Sequence, residues 1–238
     1  MRCNMKKTFA KFLGILLSVV LACSVAPMFA SAASAPYVLN SFDTQADVDR
    51  VTDGGGPTTI GISLDTTDSL NRQGNSLFVT MPTEGLISHG TSAYININVG
   101  AVDASQYDYI EFVYKNHQDA SDVVLYVYPY DGTTLIHDNY PVDFDSTIGK
   151  WQRQQLAITE NLKPKFTHLT TIIGAVYNKS GFYNKLDTHY DNYVLLKQDY
   201  VDARTEKEQE LEQLIDSVAI PTITTYSSLE QDLSLIHI

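Results

Sequence analysis

The chain contains 238 residues, with 28 acidic and 16 basic side chains and a formal net charge of −12. Such a negative charge repels nucleic acid and the anionic headgroups of membranes, so the composition excludes both as partners. With 44% hydrophobic residues, the chain is apolar enough to form a folded core.

Residues 1–32 have the pattern of a secretory signal peptide. Basic residues precede the apolar run "LGILLSVVLACSV", which is too short to span a bilayer, and Ala30 and Ala32 predict cleavage after Ala32. We therefore expect a secreted or cell-surface protein that is extracellular, with no membrane insertion after cleavage. The alternative is that "VVLAC" is a lipobox whose Cys23 carries a lipid anchor. The small residues after Cys23 favour ordinary cleavage.

Both cysteines of the chain, Cys3 and Cys23, lie within this leader. The mature chain therefore has no disulfide and no cysteine ligand for a metal. Its stability must come from a hydrophobic core and from any ion that it binds.

Residues 36–198 have the pattern of an all-β domain. Short runs rich in Val, Ile, Tyr, Phe and Thr alternate with turn signals such as "DGGGP", "NRQGN" and "NKSGFYNK". The predicted strands are "YVLNSF", "TTIGISL", "SLFVTM", "AYININV", "YDYIEFVYKN", "DVVLYVYPYD", "WQRQQLAI", "LTTIIGAVYN" and "YDNYVLLK". About nine strands in about 160 residues are typical of a two-sheet antiparallel β-sandwich.

From Asp199 onward the composition changes to that of a helix. The segment "DYVDARTEKEQELEQLIDSVA" is highly charged and lacks Gly and Pro, and Pro221 ends it. Its apolar residues recur at helical spacing: Leu211, Leu214, Ile215 and Val218. A second helix is predicted to begin near Ser227. We interpret 199–232 as a helical linker, or the start of a helical spacer module, rather than as part of the sandwich.

The last six residues, "LSLIHI" at 233–238, resemble a translated sequencing adapter. On that interpretation the natural chain continues beyond about Asp232, since the helix predicted near Ser227 is cut after about one turn. The alternative is a genuine short apolar tail. We expect the chain to be the N-terminal part of a larger, multimodular protein.

The order of several segments resembles a known family. The segments are "LNSFDTQADVDRV", "NSLFVTM", "DASQYDYIEFVYKN", "LYVYPYDGT", "GKWQRQQLAI", "LTTIIGAVYN" and "HYDNYVLLK". Together they resemble the jelly-roll carbohydrate-binding modules, of galactose-binding-like fold, found beside catalytic modules in secreted bacterial glycan-degrading and cell-surface proteins. The resemblance covers most of 37–197 and implies non-catalytic binding of a polysaccharide. Because the same sandwich also occurs without a ligand, the alternative is a structural or protein-interaction domain of a surface protein without a sugar site.

The resemblance also implies a structural Ca²⁺ between the first and last strands. The matching acids are Asp43 in "SFDT" and Asp191 in "YDNY", and Ser76 in "GNSL" lies where a backbone carbonyl ligand is expected. Calcium takes about six to eight oxygen ligands, so these residues need further carbonyls and water. The alternative is that both acids cap strand ends in solvent.

The stretch "VVLYVYPYDG" places three tyrosines at two-residue spacing. Because strand side chains alternate between faces, Tyr126, Tyr128 and Tyr130 share one face. The aliphatic residues of the opposite face suit the core: Val123, Leu125 and Val127. The same rule turns Ile110, Phe112 and Tyr114 of the preceding strand inward.

An outward tyrosine row suits carbohydrate. Sugar rings present apolar C–H faces with hydroxyls around them, so a binding site needs aromatic rings beside polar groups. If the two strands are neighbours, Tyr109 and Glu111 join the row of Tyr126, Tyr128 and Tyr130. The alternative is that the tyrosines reflect strand propensity and are covered by a loop.

Other aromatic residues are weaker candidates. Trp151 begins the strand "WQRQQLAI", where we expect it to seal one end of the core. Loop residues at one rim form a second class of candidate binding residues: Tyr177, Asn178, Phe182, Tyr183, Asn184, Asp138, Asn139 and Tyr140.

The sequence contains no recognisable catalytic motif. Glu84, Glu111 and Glu160 stand in no catalytic context, and the histidines of the β region show no paired-ligand spacing. There is no GxSxG, no P-loop and no dinucleotide fingerprint. We expect no enzymatic activity from this chain.

Overall fold

The computed structural model describes residues 33–55, 60–70, 74–81, 92–120, 123–138, 140–144, 147–178 and 186–217. The predicted signal peptide, the candidate residues at 182–184 and the predicted adapter-derived tail lie outside these ranges. Among the helices of the described part, none has both the length and the hydrophobicity needed to cross a membrane.

The described strands form two antiparallel sheets of six strands each. In chain order the strands are β1 (Tyr37–Asn40), β2 (Val51–Asp53), β3 (Gly61–Asp65), β4 (Ser76–Met81), β5 (Ser92–Val102), β6 (Tyr109–Asn116), β7 (Val123–Asp131), β8 (Thr134–Leu135), β9 (Tyr140–Asp143), β10 (Gln152–Ala157), β11 (Leu169–Asn178) and β12 (Leu186–Leu196). Sheet 1 has the order β10-β6-β12-β4-β3, with β1 also paired to β12. Sheet 2 has the order β2-β5-β11-β7-β8, with β9 also paired to β7. The predicted two-sheet antiparallel β-sandwich is therefore confirmed.

Three helical segments accompany the strands in the described part of the chain: α1 (Gln45–Val48), a 3-10 helix (Lys163–Lys165) and α2 (Gln198–Ser217). Helix α1 is one turn long and depends on its first residues. The Thr44 hydroxyl accepts a hydrogen bond from the Asp47 backbone N–H, while the Asp47 carboxylate accepts one from the Thr44 backbone. This capping box fixes the turn that follows β1.

The hydrophobic core lies between the two sheets. The inward residues of β7 and β6 are those predicted from alternation: Val123, Leu125, Val127, Ile110, Phe112 and Tyr114. Phe112 stacks on Tyr193 of β12 with their ring centroids 4.7 Å apart and their planes at 6°. Alternation in single strands thus correctly identified the residues that the two sheets share as their core.

Strand β12 organises sheet 1 because three strands pair with it. Strand β6 lies along one edge, while β4 and β1 share the other edge, β4 pairing with 186–190 and β1 with 193–195. The register shifts between Asp191 and Val194, and Asn192 has a φ of +50°. Asp191 therefore lies at an irregular point of the strand, between the start of β4 and the end of β1.

Helix α2 lies against the outer face of sheet 1. Arg204 donates hydrogen bonds of 2.9 and 2.8 Å to the two carboxylate oxygens of Glu111, and the Tyr109 hydroxyl donates one of 2.6 Å to Gln198 Oε1. Further along, Leu211 is 56% exposed. The domain boundary near residue 198 stays a prediction, but these contacts attach the first half of α2 to the sandwich.

Candidate functional site

The outer face of sheet 2 carries a group of tyrosines from three adjacent strands. We call Tyr94 of β5, Tyr177 of β11, and Tyr126 and Tyr128 of β7 the tyrosine face. All four side chains are partly exposed. The ring centroids of Tyr126 and Tyr177 lie 5.2 Å apart and nearly perpendicular, and those of Tyr126 and Tyr128 lie 6.4 Å apart.

A small residue lies at the centre of the tyrosine face. Ala175 of β11 is directly opposite Tyr94 on one side and Tyr126 on the other. Its side chain is fully buried although it points outward, because the larger rings stand on both sides of it. The small Ala175 side chain leaves room for the neighbouring rings to cover this part of the sheet.

The rings of the tyrosine face interact electrostatically as well as by contact. Burial, followed by the proximity of Tyr177, Tyr126 and Tyr94, raises the pKa of Tyr128 to about 12. The Tyr128 phenol is therefore neutral at physiological pH and can both donate and accept hydrogen bonds. Polar residues surround them at the same face of neighbouring strands: Thr52, Asn96, Asn98 and Thr171.

Tyr130, the third tyrosine of the predicted row, extends this face toward the hairpin at β8. It lies opposite Thr171 on β11 and Leu135 on β8, and it is partly exposed. The structure thus brings Tyr126, Tyr128 and Tyr130 to one face, and it adds Tyr94 and Tyr177 beside them. The sequence alone ranked Tyr177 only as a loop candidate and did not single out Tyr94.

The suggestion that Tyr109 and Glu111 join this row is wrong. Both lie on β6, which belongs to sheet 1, whereas the tyrosine face belongs to sheet 2. Glu111 is 6% exposed and is hydrogen-bonded to Arg204 and to Gln155. Consecutive strands often pair, but the connection between β6 and β7 crosses from one sheet to the other.

The predicted calcium ligands meet around the irregular point of β12. Asp43 follows β1, and Ser76 begins β4 next to Leu77, which pairs with Tyr190. Ser76 therefore lies beside Asp191. A Cβ atom on Gly74 would lie 2.6 Å from Asp43 Oδ1, so the loop before β4 is packed closely onto that carboxylate.

The environment of Asp191 suits a cation. The residue is 2% exposed, and its Oδ2 accepts a 3.2 Å hydrogen bond from the Leu70 backbone N–H. Burial, with a contribution from the Asp43 charge, raises the pKa of Asp191 to about 6. The carboxylates of the buried Asp191 and the exposed Asp43 supply oxygen ligands of the kind that Ca²⁺ takes.

A second polar cluster, formed by Asp68, His117 and His189, could hold a metal. Their ligand atoms all lie within 4.8 Å of one another. His117 Nε2 and His189 Nδ1 are 2.7 Å apart, and His189 Nε2 is 2.8 Å from Asp65 Oδ2. Sequence spacing gave no sign of this group, because its two histidines are 72 residues apart.

Trp151 belongs to the surroundings of this cluster and not to the core. Its ring lies 6.2 Å from that of His189, and the Lys115 ammonium is 5.1 Å from the indole centroid. The expectation that Trp151 seals the core was wrong. The side chain is partly exposed and covers the outer face of sheet 1 where β6 and β12 pair.

A groove of about 380 Å³ runs between edge strands of the two sheets. Its lining includes Tyr140 and Pro141 of β9, Gln154 of β10 and the following residue Asn161. Burial raises the pKa of Tyr140 to about 12, and its hydroxyl has no hydrogen-bond partner among the described residues. The Tyr140 ring packs 4.5 Å from that of His137.

No protein-family model and no curated protein matches the chain. Solved structures do match. The carbohydrate-binding module CBM27-1 of Caldicellulosiruptor saccharolyticus, in complex with mannohexaose, aligns with a TM-score of 0.50 at 13% identity over 70% of this chain and 99% of that one. The β-1,2-glucanase of Parabacteroides distasonis aligns with a TM-score of 0.50 at 15% identity over 68% of this chain, but over only 25% of the glucanase.

Other structural neighbours are also bacterial carbohydrate-binding modules of β-sandwich type. A family 11 module from Clostridium thermocellum, in complex with a β-1,3-1,4-mixed-linked tetrasaccharide, aligns with a TM-score of 0.48 at 14% identity over 69% of this chain and 98% of that one. Identities this low establish the fold alone. The chain is therefore a two-sheet β-sandwich of the kind found in bacterial carbohydrate-binding modules.

Proposed function

We propose that the chain is a non-catalytic, extracellular carbohydrate-binding module that attaches a larger multimodular protein to a polysaccharide. The observation that carries this proposal is the tyrosine face, in which four partly exposed rings from three strands surround the buried Ala175. Binding holds neighbouring modules close to their substrate and so raises their effective concentration.

The chemistry of the tyrosine face matches a sugar chain. Phenol rings stack on the apolar C–H faces of sugar rings, and neutral hydroxyls pair with sugar hydroxyls. Asn98 and Thr52 are exposed at the β5–β2 side of the face and supply further hydrogen-bonding groups. The strand pairing holds the rings at fixed spacing, so little side-chain freedom is lost on binding.

Affinity electrophoresis of the full chain through gels containing mannan, mixed-linkage β-glucan or xyloglucan tests the proposal. We expect retardation by at least one polymer, and we expect the substitution Tyr128→Ala to weaken it. Losing one stacked ring costs about 1 kcal/mol, which is roughly a fivefold loss of affinity. Tyr37→Ala is the matched control, because Tyr37 is an exposed tyrosine on β1 of sheet 1.

The possible results distinguish three cases. Retardation that depends on Tyr128 but not on Tyr37 supports the proposal. If Tyr128→Ala leaves the retardation unchanged and Gln154→Ala abolishes it, the polysaccharide binds in the groove beside β10 instead. No retardation by any polymer contradicts sugar binding and favours a structural or protein-interaction domain.

We also propose a structural Ca²⁺ held by Asp43, Asp191 and a backbone carbonyl near Ser76. Such an ion would neutralise two neighbouring carboxylates, one of which is buried. It would join the ends of β1 and β4 to the irregular part of β12, where strand pairing is interrupted. Its role is to stabilise this edge of the sandwich, and it takes no part in contacts at the tyrosine face.

A further inference from the structure

Asp68, His117 and His189 form a cluster on the outer face of sheet 1. Its geometry resembles a metal site that differs from the proposed calcium site in containing histidine ligands. His189 is 3% exposed on β12, and its Nδ1 lies 2.7 Å from Nε2 of His117, the residue after β6. The His117 backbone N–H donates a 3.0 Å hydrogen bond to the Asp187 carbonyl, which fixes His117 beside β12. The Asp68 carboxylate approaches the two rings from the loop after β3.

Asp65 orients the buried ring. Its Oδ2 lies 2.8 Å from His189 Nε2, and its Oδ1 accepts hydrogen bonds of 2.7 Å from both the backbone N–H and the hydroxyl of Thr67. A carboxylate accepts, so His189 carries its proton on Nε2 and directs the lone pair of Nδ1 toward His117 and Asp68. A carboxylate behind a histidine in this way is the usual outer support of a metal-binding imidazole.

The donor set selects the class of metal. Two imidazole nitrogens and one carboxylate oxygen suit Zn²⁺ and similar divalent transition metals, whereas Ca²⁺ and Mg²⁺ prefer oxygen alone. Two nitrogens on a tetrahedral zinc ion are about 3.3 Å apart. His117 Nε2 and His189 Nδ1 are 2.7 Å apart. The His117 ring would therefore have to move by less than about 1 Å for both nitrogens to bind one zinc ion.

Lys115 forms an ion pair with the Asp68 carboxylate, one of the proposed metal ligands. Its ammonium group contacts Asp68 Oδ2 and lies 5.1 Å from the Trp151 ring centroid. The ammonium group and a metal ion compete for one carboxylate, and their charges repel each other. The ammonium already lies over the indole face, so Lys115 can keep this cation–π contact when Asp68 turns to a metal.

We propose that Asp68, His117 and His189 bind a zinc-like divalent transition metal, with Asp65 as the positioning residue for His189 and Lys115 as a competing cation. The site is separate from the tyrosine face, which lies on sheet 2. Its ligand atoms also differ from those of the proposed calcium site, which are all oxygen atoms. The inference therefore stands independently of the proposed sugar binding.

Calorimetric titration of the metal-free full chain with ZnCl₂, in saturating CaCl₂, tests the proposal. We expect one zinc ion per chain. Asp65→Asn should weaken binding by about 10- to 100-fold through loss of its support, and His117→Ala should weaken it at least as much. Lys115→Met should tighten binding by roughly tenfold, since one repelling charge is removed. Co²⁺ should give the visible absorption of a tetrahedral site, which His117→Ala abolishes.

A matched control makes the test specific. His168→Ala removes an exposed histidine that is paired with Asp131 at 2.7 Å, and it should leave zinc affinity unchanged. His117 lies outside the core, so His117→Ala keeps the test usable if a variant of the buried His189 fails to fold. Absence of stoichiometric zinc binding, or zinc affinity that is unchanged in His117→Ala or in Lys115→Met, would overturn the proposal.

Discussion

Arg204 of helix α2 forms a bidentate ion pair with Glu111 of β6, with hydrogen bonds of 2.9 and 2.8 Å to the two carboxylate oxygens. The Glu111 side chain is 8% exposed and that of Arg204 is 18% exposed. A carboxylate buried on the outer face of a sheet thus depends on a helix that follows the last strand. This pair explains why an acid that alternation placed outward is not available to a ligand.

Removing Arg204 should destabilise the sandwich. Arg204→Met leaves the Glu111 charge buried, and loss of one partner of a buried pair costs about 3 kcal/mol. Urea unfolding of the two chains measures the difference. Arg153→Met is the comparison on the same carboxylate, because Arg153 Nε lies 3.6 Å from Glu111 Oε1 and the Arg153 side chain is 43% exposed. We expect this substitution to cost about 1 kcal/mol or less. Equal losses in the two variants would contradict the assigned role of Arg204.

The stability contributed by Asp108 should depend on pH. Burial acts to raise its pKa, but hydrogen bonds from Lys163 and from the Gln198 backbone N–H outweigh burial and lower the pKa from its usual value of 3.8. The contribution is therefore present above pH 3.8 and is lost as the pH falls through the lowered value. The Tm gap between the parent chain and Asp108→Asn should be constant near neutral pH and close in acid. A Tm difference that widens in acid would contradict a lowered pKa of Asp108 in the folded chain.

Two substitutions at Tyr126 separate ring stacking from hydroxyl pairing. Tyr126→Phe keeps the ring that packs 5.2 Å from Tyr177, so it should retain most of the affinity for whichever polymer the chain binds. Tyr126→Ala should lose roughly fivefold or more, because the stacking surface is gone. Affinity electrophoresis compares the three chains on one gel. Equal losses from both substitutions would mean that the hydroxyl, and not the ring face, makes the contact.

Calcium should raise the Tm of the chain, and a chelator should lower it. An ion present at 100 times its Kd stabilises the folded state by about 2.7 kcal/mol. Asp191→Asn removes one buried carboxylate ligand and should abolish the response. His117→Ala belongs to the other metal cluster and should keep it. If calcium still raises the Tm of Asp191→Asn, the ion binds at another place in the chain.

The sequence predicted the strands that are long and the faces that are buried. The bounds of β4 and β11 agree with the predicted segments, and alternation in β7 correctly separated Val123, Leu125 and Val127 from the tyrosines. These successes share one cause, because a strand buried on one side must alternate along its whole length. Strands β2, β8 and β9 were missed, since each has only two to four residues and shows little alternation.

Relations between distant segments were not accessible in the same way. Nothing local shows that β6 and β7, which are consecutive in the chain, belong to different sheets. For the same reason Tyr94 and Tyr177 could not be grouped with Tyr126, although strand register places all three around Ala175. The metal cluster is a further case, because its two histidines meet only when β12 pairs with β6.

Helix α2 and the tyrosine face lie on opposite outer faces of the sandwich. In the proposed multimodular protein, a polymer bound at the tyrosine face and a module that follows α2 would therefore pull on opposite faces of the domain. Strands within each sheet are joined by rows of backbone hydrogen bonds, whereas side-chain contacts such as Arg204–Glu111 and Tyr109–Gln198 join α2 to sheet 1. Under tension the helix should peel away before any strand is extracted, which would lengthen the connection while the sandwich stays folded.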